Sequence, residues 1–430
     1  MREIQLYDYQ KDMVQRIEEA FKTRQSVMVQ MPTGTGKTIL LAEVVKSEKL
    51  KGKNPCVWIV VHRRELVEQI EETLAKQLDS SLFTLHSSLK PRVFSIQWLS
   101  KHYHELEERP SLIIIDEAHH AVAKTYKEVM DAYPEARKLG LTATPCRLNK
   151  HGFTDLFDVL LQSWSYNKFI ADGWLSLYDY MSIKEDSEDW RLVNSLKKRG
   201  ADGDFSLKEM SEKLNVQPSI ERLCDTILRY APDKKGITYA IDIAHAERIA
   251  QYYREHGLNA VAISSKTPPE ERKQLIEWFR NTNCHESPED SNTNYHELPM
   301  NLSLNSRQFK TQNSKLITQN RLCRQFKTQN SKLKILITVD LFGEGFDCPD
   351  VEFIQLARPT LSLSKYLQQV GRGMRVFEGK KYCLILDNVG LYRLFGLPSD
   401  DRDWQAMFEG SMAGKGSLSR EKVMYDVAYS

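Results

Sequence analysis

No stretch of the 430 residues approaches the roughly 18 consecutive apolar positions of a membrane-spanning helix. The opening MREIQLYDYQKD is charged and lacks the apolar centre of a signal peptide. These absences predict a cytoplasmic protein with no membrane segment. Cysteine is sparse: seven residues, at 56, 146, 224, 284, 323, 348 and 383, odd in number and without a CxxC pair. That argues against a disulfide framework and a thiolate zinc site, and fits reduced thiols. A dominant charge sign is missing too. With 60 Lys and Arg against 58 Asp and Glu, the net charge is +2. Overall charge therefore does not argue for nucleic acid, and any basic surface has to be local.

What is present is alternation. SVMVQM (26–31), VWIVV (57–61), VFSI (93–96), LIII (112–115) and KLGLT (138–142) are short apolar runs that predict buried strands. Between them Leu66, Ile70, Leu74 and Leu78 recur every fourth residue and mark one helix face. Strands alternating with helices predict a parallel sheet covered on both sides. The pattern weakens over 151–218, expected as a connector that ends in the polar linker KKRGADGDFS. The aromatics of 153–180 are expected in a core, with Trp174 left open between core and base stacking. From Gly236 the alternation resumes in GITYA, NAVAIS, KILITVD, EFIQLA and YCLILD. The expected organisation is an N-terminal lobe over 1–150, the connector over 151–218, a C-terminal lobe over 219–395 and a tail over 396–430.

Residues 281–333 interrupt the second lobe. They are rich in Asn, Gln, Ser and Lys, and RQFKTQNSKL occurs at 307–316 and again at 324–333. Two copies of so short a unit cannot stack into a core. Low apolar content predicts a disordered or loosely folded surface insertion. From Leu302 to Lys334 it holds Lys and Arg but no acid. A tolerated loop is the favoured reading; contact with a phosphate backbone is the alternative.

Two clusters carry chemistry. SVMVQM runs into PTGTGKT (32–38) and then into ILLAEVVKSEKL. Strand, Gly-rich turn and helix is the context of a phosphate-binding loop. Gly34 and Gly36, with Thr33 and Thr35 beside them, let backbone N–H groups approach phosphate oxygens at a helix N-terminus. Lys37 is placed for the terminal phosphates of a nucleotide such as ATP, and Thr38 for Mg²⁺. The strict pattern GxxxxGK[ST] fails at its first position, where Met31 stands. The second cluster is LIIIDEAHH (112–120). A strand buried on both faces delivers the residues after it to the carboxyl edge of the sheet, where ligands bind. Asp116 suits the water shell of Mg²⁺, and Glu117 suits the water that attacks the γ-phosphate. Capping of the next helix would account for only one of these acids.

PTGTGKT, DEAH and LTATP (141–145), in that order, resemble the superfamily 2 helicases of the DEAD/DEAH-box type. The restriction-enzyme motor subunits and repair helicases are the most similar branch. The resemblance implies a P-loop NTPase of two RecA-like parallel-sheet lobes in tandem. It implies that Gln10 of LYDYQ (6–10) reads adenine, and that VHRREL (61–66) and SIQ (95–97) grip one nucleic-acid strand through His62, Arg63, Arg64 and Gln97. TVDLFGEGFDCP (338–349) resembles the fifth motif, placing Gly345 and Asp347 near the nucleotide and Thr338 near the strand. QQVGRGMR (368–375) matches the sixth, placing Gln368, Arg372 and Arg375 at the γ-phosphate. His119, Thr142 and Thr144 would couple the two sites.

The expected activity is ATP-dependent unwinding of, or movement along, DNA, with Mg²⁺ as cofactor and RNA not excluded. Three rivals stand beside it. One is a duplex translocase that does not separate strands. Another is an ATP-regulated nucleic-acid-binding module without turnover. The third is the motor subunit of a restriction or defence complex, inactive without an accessory subunit that supplies specificity.

Overall fold

A computed structural model describes residues 6–51, 56–62, 64–77, 91–121, 124–149, 151–282, 333–339 and 348–411. Two six-stranded sheets form its frame. The first contains β1 (Ser26–Gln30), β2 (Val57–Val61), β3 (Arg92–Ser95), β4 (Leu112–Asp116), β5 (Arg137–Thr142) and β6 (Val159–Gln162). Their order across the sheet is β3-β2-β4-β5-β1-β6, and every pairing is parallel. The second contains β7 (Tyr178–Ser182), β8 (Gly236–Tyr239), β9 (Ala260–Ile263), β10 (Ile335–Thr338), β11 (Phe353–Leu356) and β12 (Cys383–Asp387). Its order is β7-β12-β11-β8-β10-β9, again parallel throughout.

The apolar runs become central strands because helices cover both faces, and β1, β2, β8, β10, β11 and β12 are buried along their whole length. Ile96 departs from the expected strand 93–96. The Ser95 hydroxyl accepts a hydrogen bond from Trp98 N and caps the helix Ile96–His102, which ends the strand one residue early. The expected helix face falls on Glu65–Gln77, with Leu66, Ile70 and Leu74 buried; Leu78 lies outside the described residues.

The connector expected over 151–218 is shared between the sheets. β6 extends the first sheet beside β1, held by the Asp158 carboxylate, which accepts from Gln25 N at 3.0 Å and Ser26 N at 2.8 Å. β7 edges the second sheet beside β12. The polar stretch KKRGADGDFS is a hairpin, not a linker, with Arg199 bridging Phe205. Its buried Asp204 accepts from Thr360 Oγ1 and Leu361 N, both at 2.7 Å, and from Lys365 Nζ at 3.1 Å. Hydrophobic periodicity is blind to such a clamp. The tail also differs from expectation. Helix Trp404–Glu409 returns to the first sheet, where Phe408 is buried with Phe153 and Phe157 and its carbonyl accepts from Phe153 N at 2.6 Å. Among the described residues no helix is long and apolar enough to cross a membrane.

Candidate active site between the two sheets

β1 ends in a loop that turns at Gly34 (φ 92°) and Gly36 (φ 83°) before the helix Lys37–Lys51 begins. Both angles lie in the left-handed region that glycine tolerates and β-branched residues do not. A Cβ on Gly36 would also sit 2.5 Å from Gln10 Nε2. The loop is braced from inside: Thr35 Oγ1 donates to Pro32 O at 2.8 Å. Thr35 O accepts from Tyr9 OH at 3.0 Å and Gln10 Nε2 at 3.4 Å. Gln10 Oε1 accepts from Tyr7 N at 3.1 Å. Gln10 therefore ties LYDYQ to the loop. Tyr9 packs among Trp164, Phe169 and Trp174, as expected of a core, while the Trp174 ring lies 4.1 Å from the half-exposed Tyr7.

β4 carries Asp116 and Glu117 to the same edge. Glu117 is one of two described non-glycine residues with positive φ, at 48°, and its N–H donates to Asp116 Oδ1 at 3.0 Å. Left-handed backbone at a residue with a long side chain is held only where its surroundings determine it. Here the strained turn aims the carboxylate at Lys37, with Nζ 3.9 Å from Oε1. His119, buried behind it, places Nδ1 3.0 Å from Thr142 Oγ1 and 3.4 Å from Glu117 Oε2. Thr142 Oγ1 also accepts from Thr144 N at 3.1 Å.

The second sheet closes over this edge with the helix Leu363–Gly373. Gln368 and Arg372 are buried, and Gln368 Nε2 lies 3.3 Å from His119 Nε2. An amide NH₂ can only donate, so His119 accepts at Nε2 and carries its proton on Nδ1, toward Thr142. Thr144 Oγ1 donates to Ser364 Oγ at 2.8 Å. A Cβ on Gly371 would stand 2.6 Å from Thr33 Cβ, so only glycine lets the helix rest on the loop. A Cβ on Gly34 would meet Arg375 Cγ at 3.4 Å. The structure thus brings Lys37, Glu117, His119, Thr142, Thr144, Gln368 and Arg375 to one cleft, with Arg372 buried on the same helix as Gln368.

The cleft suits a nucleotide triphosphate. Left-handed glycines and the first N–H groups of a helix make an anion cradle. The buried Thr33 hydroxyl has no hydrogen-bond partner among the described residues. Lys37 on one wall and Arg375 on the other border the same loop.

A second feature lies on the first lobe. A groove of about 450 Å³ is lined by His62, Gln97, Ser100, Lys101, His120 and Thr125, with Ile96 and Tyr126. The His62 and His120 rings stack at 4.1 Å, and Gln97 Nε2 donates to His62 O at 2.5 Å. The groove begins beside the DEAH turn, because His120 comes directly after His119.

Two families match in order along the chain. Residues 3–147 match the type III restriction enzyme res subunit, and residues 305–377 match the helicase conserved C-terminal domain. The first match contains Lys37 and Glu117; the second contains Gln368, Arg372 and Arg375. The chain therefore carries helicase domains in tandem, and its relatives are superfamily 2 helicases of the restriction-motor and repair branch. Among its relatives, a 51.5 kDa protein of a Lactococcus phage (isolate 7-9) is 29% identical over 391 residues, 90% of this chain and 71% of the phage protein. IRC3, a candidate ATP-dependent helicase of Saccharomyces cerevisiae, is 25% identical over 98% of this helicase and 58% of the yeast protein. A solved fragment of a candidate HsdR subunit of a type I restriction enzyme from Vibrio vulnificus YJ016 shares the fold at TM-score 0.61. Its identity is 20%, over 94% of this helicase and 66% of that chain. The helicase thus spans little more than half of the yeast relative.

Several residues stand apart from the cleft and the groove. Arg64 is exposed beside His62, and Thr338 ends β10 fully buried. Arg63, Gly345 and Asp347 lie outside the described residues, as do residues 283–332 of the insertion. Sequence reasoning missed Ser364, which meets Thr144 across the cleft, and Lys101 and His120 in the groove. A serine in LSLSKY has no signal of its own. His120 had one, as the residue that extends DEAH.

Proposed function

We propose that this helicase is an ATP-driven motor on nucleic acid, DNA by the branch it resembles, with hydrolysis in the cleft between the two sheets. The observation that carries the reading is the approach of the helix Leu363–Gly373 to the phosphate loop, with Gln368 at His119 and Gly371 at Thr33. Lys37 and the loop amides would hold the β- and γ-phosphates. Glu117, fixed by its left-handed turn, would orient and accept a proton from the attacking water. Arg372 and Arg375 would stabilise charge on the transferred phosphoryl group, a role worth roughly 10³–10⁵-fold in other NTPases. Thr38 and Asp116 would hold Mg²⁺, which neutralises phosphate charge when bound.

Opening and closing need contacts that differ between nucleotide states. The chain from Glu117 through His119 to the rings of His120 and His62, each 4.1 Å from the next, would supply a route from the cleft to the groove, with Gln368 joining it from the second lobe. His62, Gln97 and His120 would touch the strand mainly at its backbone, so binding should tolerate sequence and weaken with salt. The likeness to restriction-enzyme subunits supports a second reading, in which an accessory subunit supplies specificity.

The test is ATP hydrolysis by the purified chain with single-stranded DNA, duplex DNA and RNA in turn, beside Glu117→Gln. Stimulation by one of them, lost in the variant, supports the motor and names its track. Hydrolysis that no nucleic acid changes would sink it.

A further inference from the structure

Lys380 belongs to the polar stretch FEGKKY, where a lysine normally faces solvent. Here its ammonium is half-buried and donates to Gly373 O at 2.6 Å, Arg375 O at 2.8 Å and Pro349 O at 3.3 Å. An ammonium has three donors, and all three go to backbone carbonyls. Among the described residues no carboxylate pairs with it. Met374 O, between the two turn carbonyls, accepts from Ser176 N at 2.7 Å. The carbonyls of 373, 374 and 375 are therefore all tied down, and on this turn Arg375 leaves the helix to lie against Gly34.

The third carbonyl supplies the anchor. Pro349 is flanked by Cys348 and Asp350, and Asp350 is gripped by the fully buried Lys235, whose Nζ lies 2.6 Å from Oδ2. Through Pro349, Lys380 thus fastens a surface turn to the segment held by a buried ion pair. A cation at this position also meets the negative end of the helix Leu363–Gly373. Burial lowers the Lys380 pKa, so the protein holds this charge at a desolvation cost.

We propose that Lys380 is a positioning residue that sets the turn carrying Arg375, so that the guanidinium meets the terminal phosphate of the nucleotide. This rests on reading the cleft as an ATP site. Lys380 touches no reacting atom in this scheme; it acts through Arg375.

The experiment compares ATP with ADP affinity by fluorescent-nucleotide titration in a Glu117→Gln background, where turnover does not interfere. Lys380→Met, Arg375→Ala and the double variant are measured beside their parent. The expected result is a loss of ATP-over-ADP preference of about tenfold in each single variant, the size of one charge-assisted contact. ADP affinity stays within about twofold, and the double variant is no worse than Arg375→Ala, because residues acting as one unit are not additive. Additive losses, or a parallel fall in both affinities, would assign Lys380 a merely structural role. An effect of Arg375→Ala with none from Lys380→Met overturns the positioning role and spares the cleft. Silence from both overturns the proposal and the ATP-site reading together. Where Lys380→Met melts far below the parent, Lys380→Gln, which keeps a donor, is scored by the same cycle.

Discussion

Gln368 of the second lobe sets its amide nitrogen 3.3 Å from Nε2 of His119 in the first, so one edge of a histidine ring is among the points where the two lobes touch. The other edge of that ring faces Thr142 and Glu117. Gln368→Ala is expected to lower nucleic-acid-stimulated ATP hydrolysis about tenfold, the effect of one lost buried hydrogen bond. Steady-state hydrolysis checks this. Thr142→Val on top should add less than its own single effect, because the ring joins both partners.

Gly371→Ala puts a methyl 2.6 Å from Thr33 Cβ. The helix Leu363–Gly373 has to lift, which carries Arg372 and Arg375 away from the loop. Hydrolysis should fall by about 10²-fold or more, toward the loss of an arginine finger, with thermal melting little changed. Hydrolysis at the parent rate would show that the closed contact is not the working one.

Glu117→Gln keeps the shape of the side chain and removes its ability to take a proton. Turnover should drop about 10²–10⁴-fold, the usual weight of general-base catalysis. ATP affinity should stay or rise, since Lys37 loses a carboxylate 3.9 Å away that competes for it. Equilibrium nucleotide binding separates the two effects.

Lys101→Ala removes a cation from the groove wall. Nucleic-acid affinity should weaken, and the slope of log affinity against log salt should fall by about one, as for a single phosphate contact. ATP affinity without nucleic acid should not move. An unchanged slope would take the backbone off this groove.

His245 is buried, and its Nδ1 accepts from Ile241 N at 3.2 Å. Burial pulls its pKa from 6.5 down to about 4, against the pull of Asp242. The unfolded chain then binds a proton between these values that the folded one refuses. Stability therefore falls as pH drops from 6.5 toward 4. His245 alone should contribute about 2 kcal/mol of that loss between about pH 7.5 and about pH 5. Denaturant unfolding at both pH values, with His245→Gln as reference, should show a smaller difference in the variant.

The strands of both lobes were readable because a central parallel strand must be apolar on both faces, and VWIVV or YCLILD cannot hide that. The phosphate loop and DEAH were readable because glycine, lysine and paired acids after such strands have few other uses. The hairpin around Asp204 was not readable: its order comes from one buried carboxylate reaching Thr360, Leu361 and Lys365, more than 150 positions away. The return of Phe408 to the first lobe escaped for the same reason, since a short amphipathic helix does not say which core it joins.

Local pattern along the chain is enough for the alternation of strand and helix, the two lobes and the chemistry offered at their edges, because each residue carries that information with it. Folding in three dimensions settles which groups meet: His119 between Thr142 and Gln368, Gly371 against Thr33, Lys380 beneath Arg375. Most of these contacts join residues far apart in the chain, and their energy depends on distance and burial that no local pattern records.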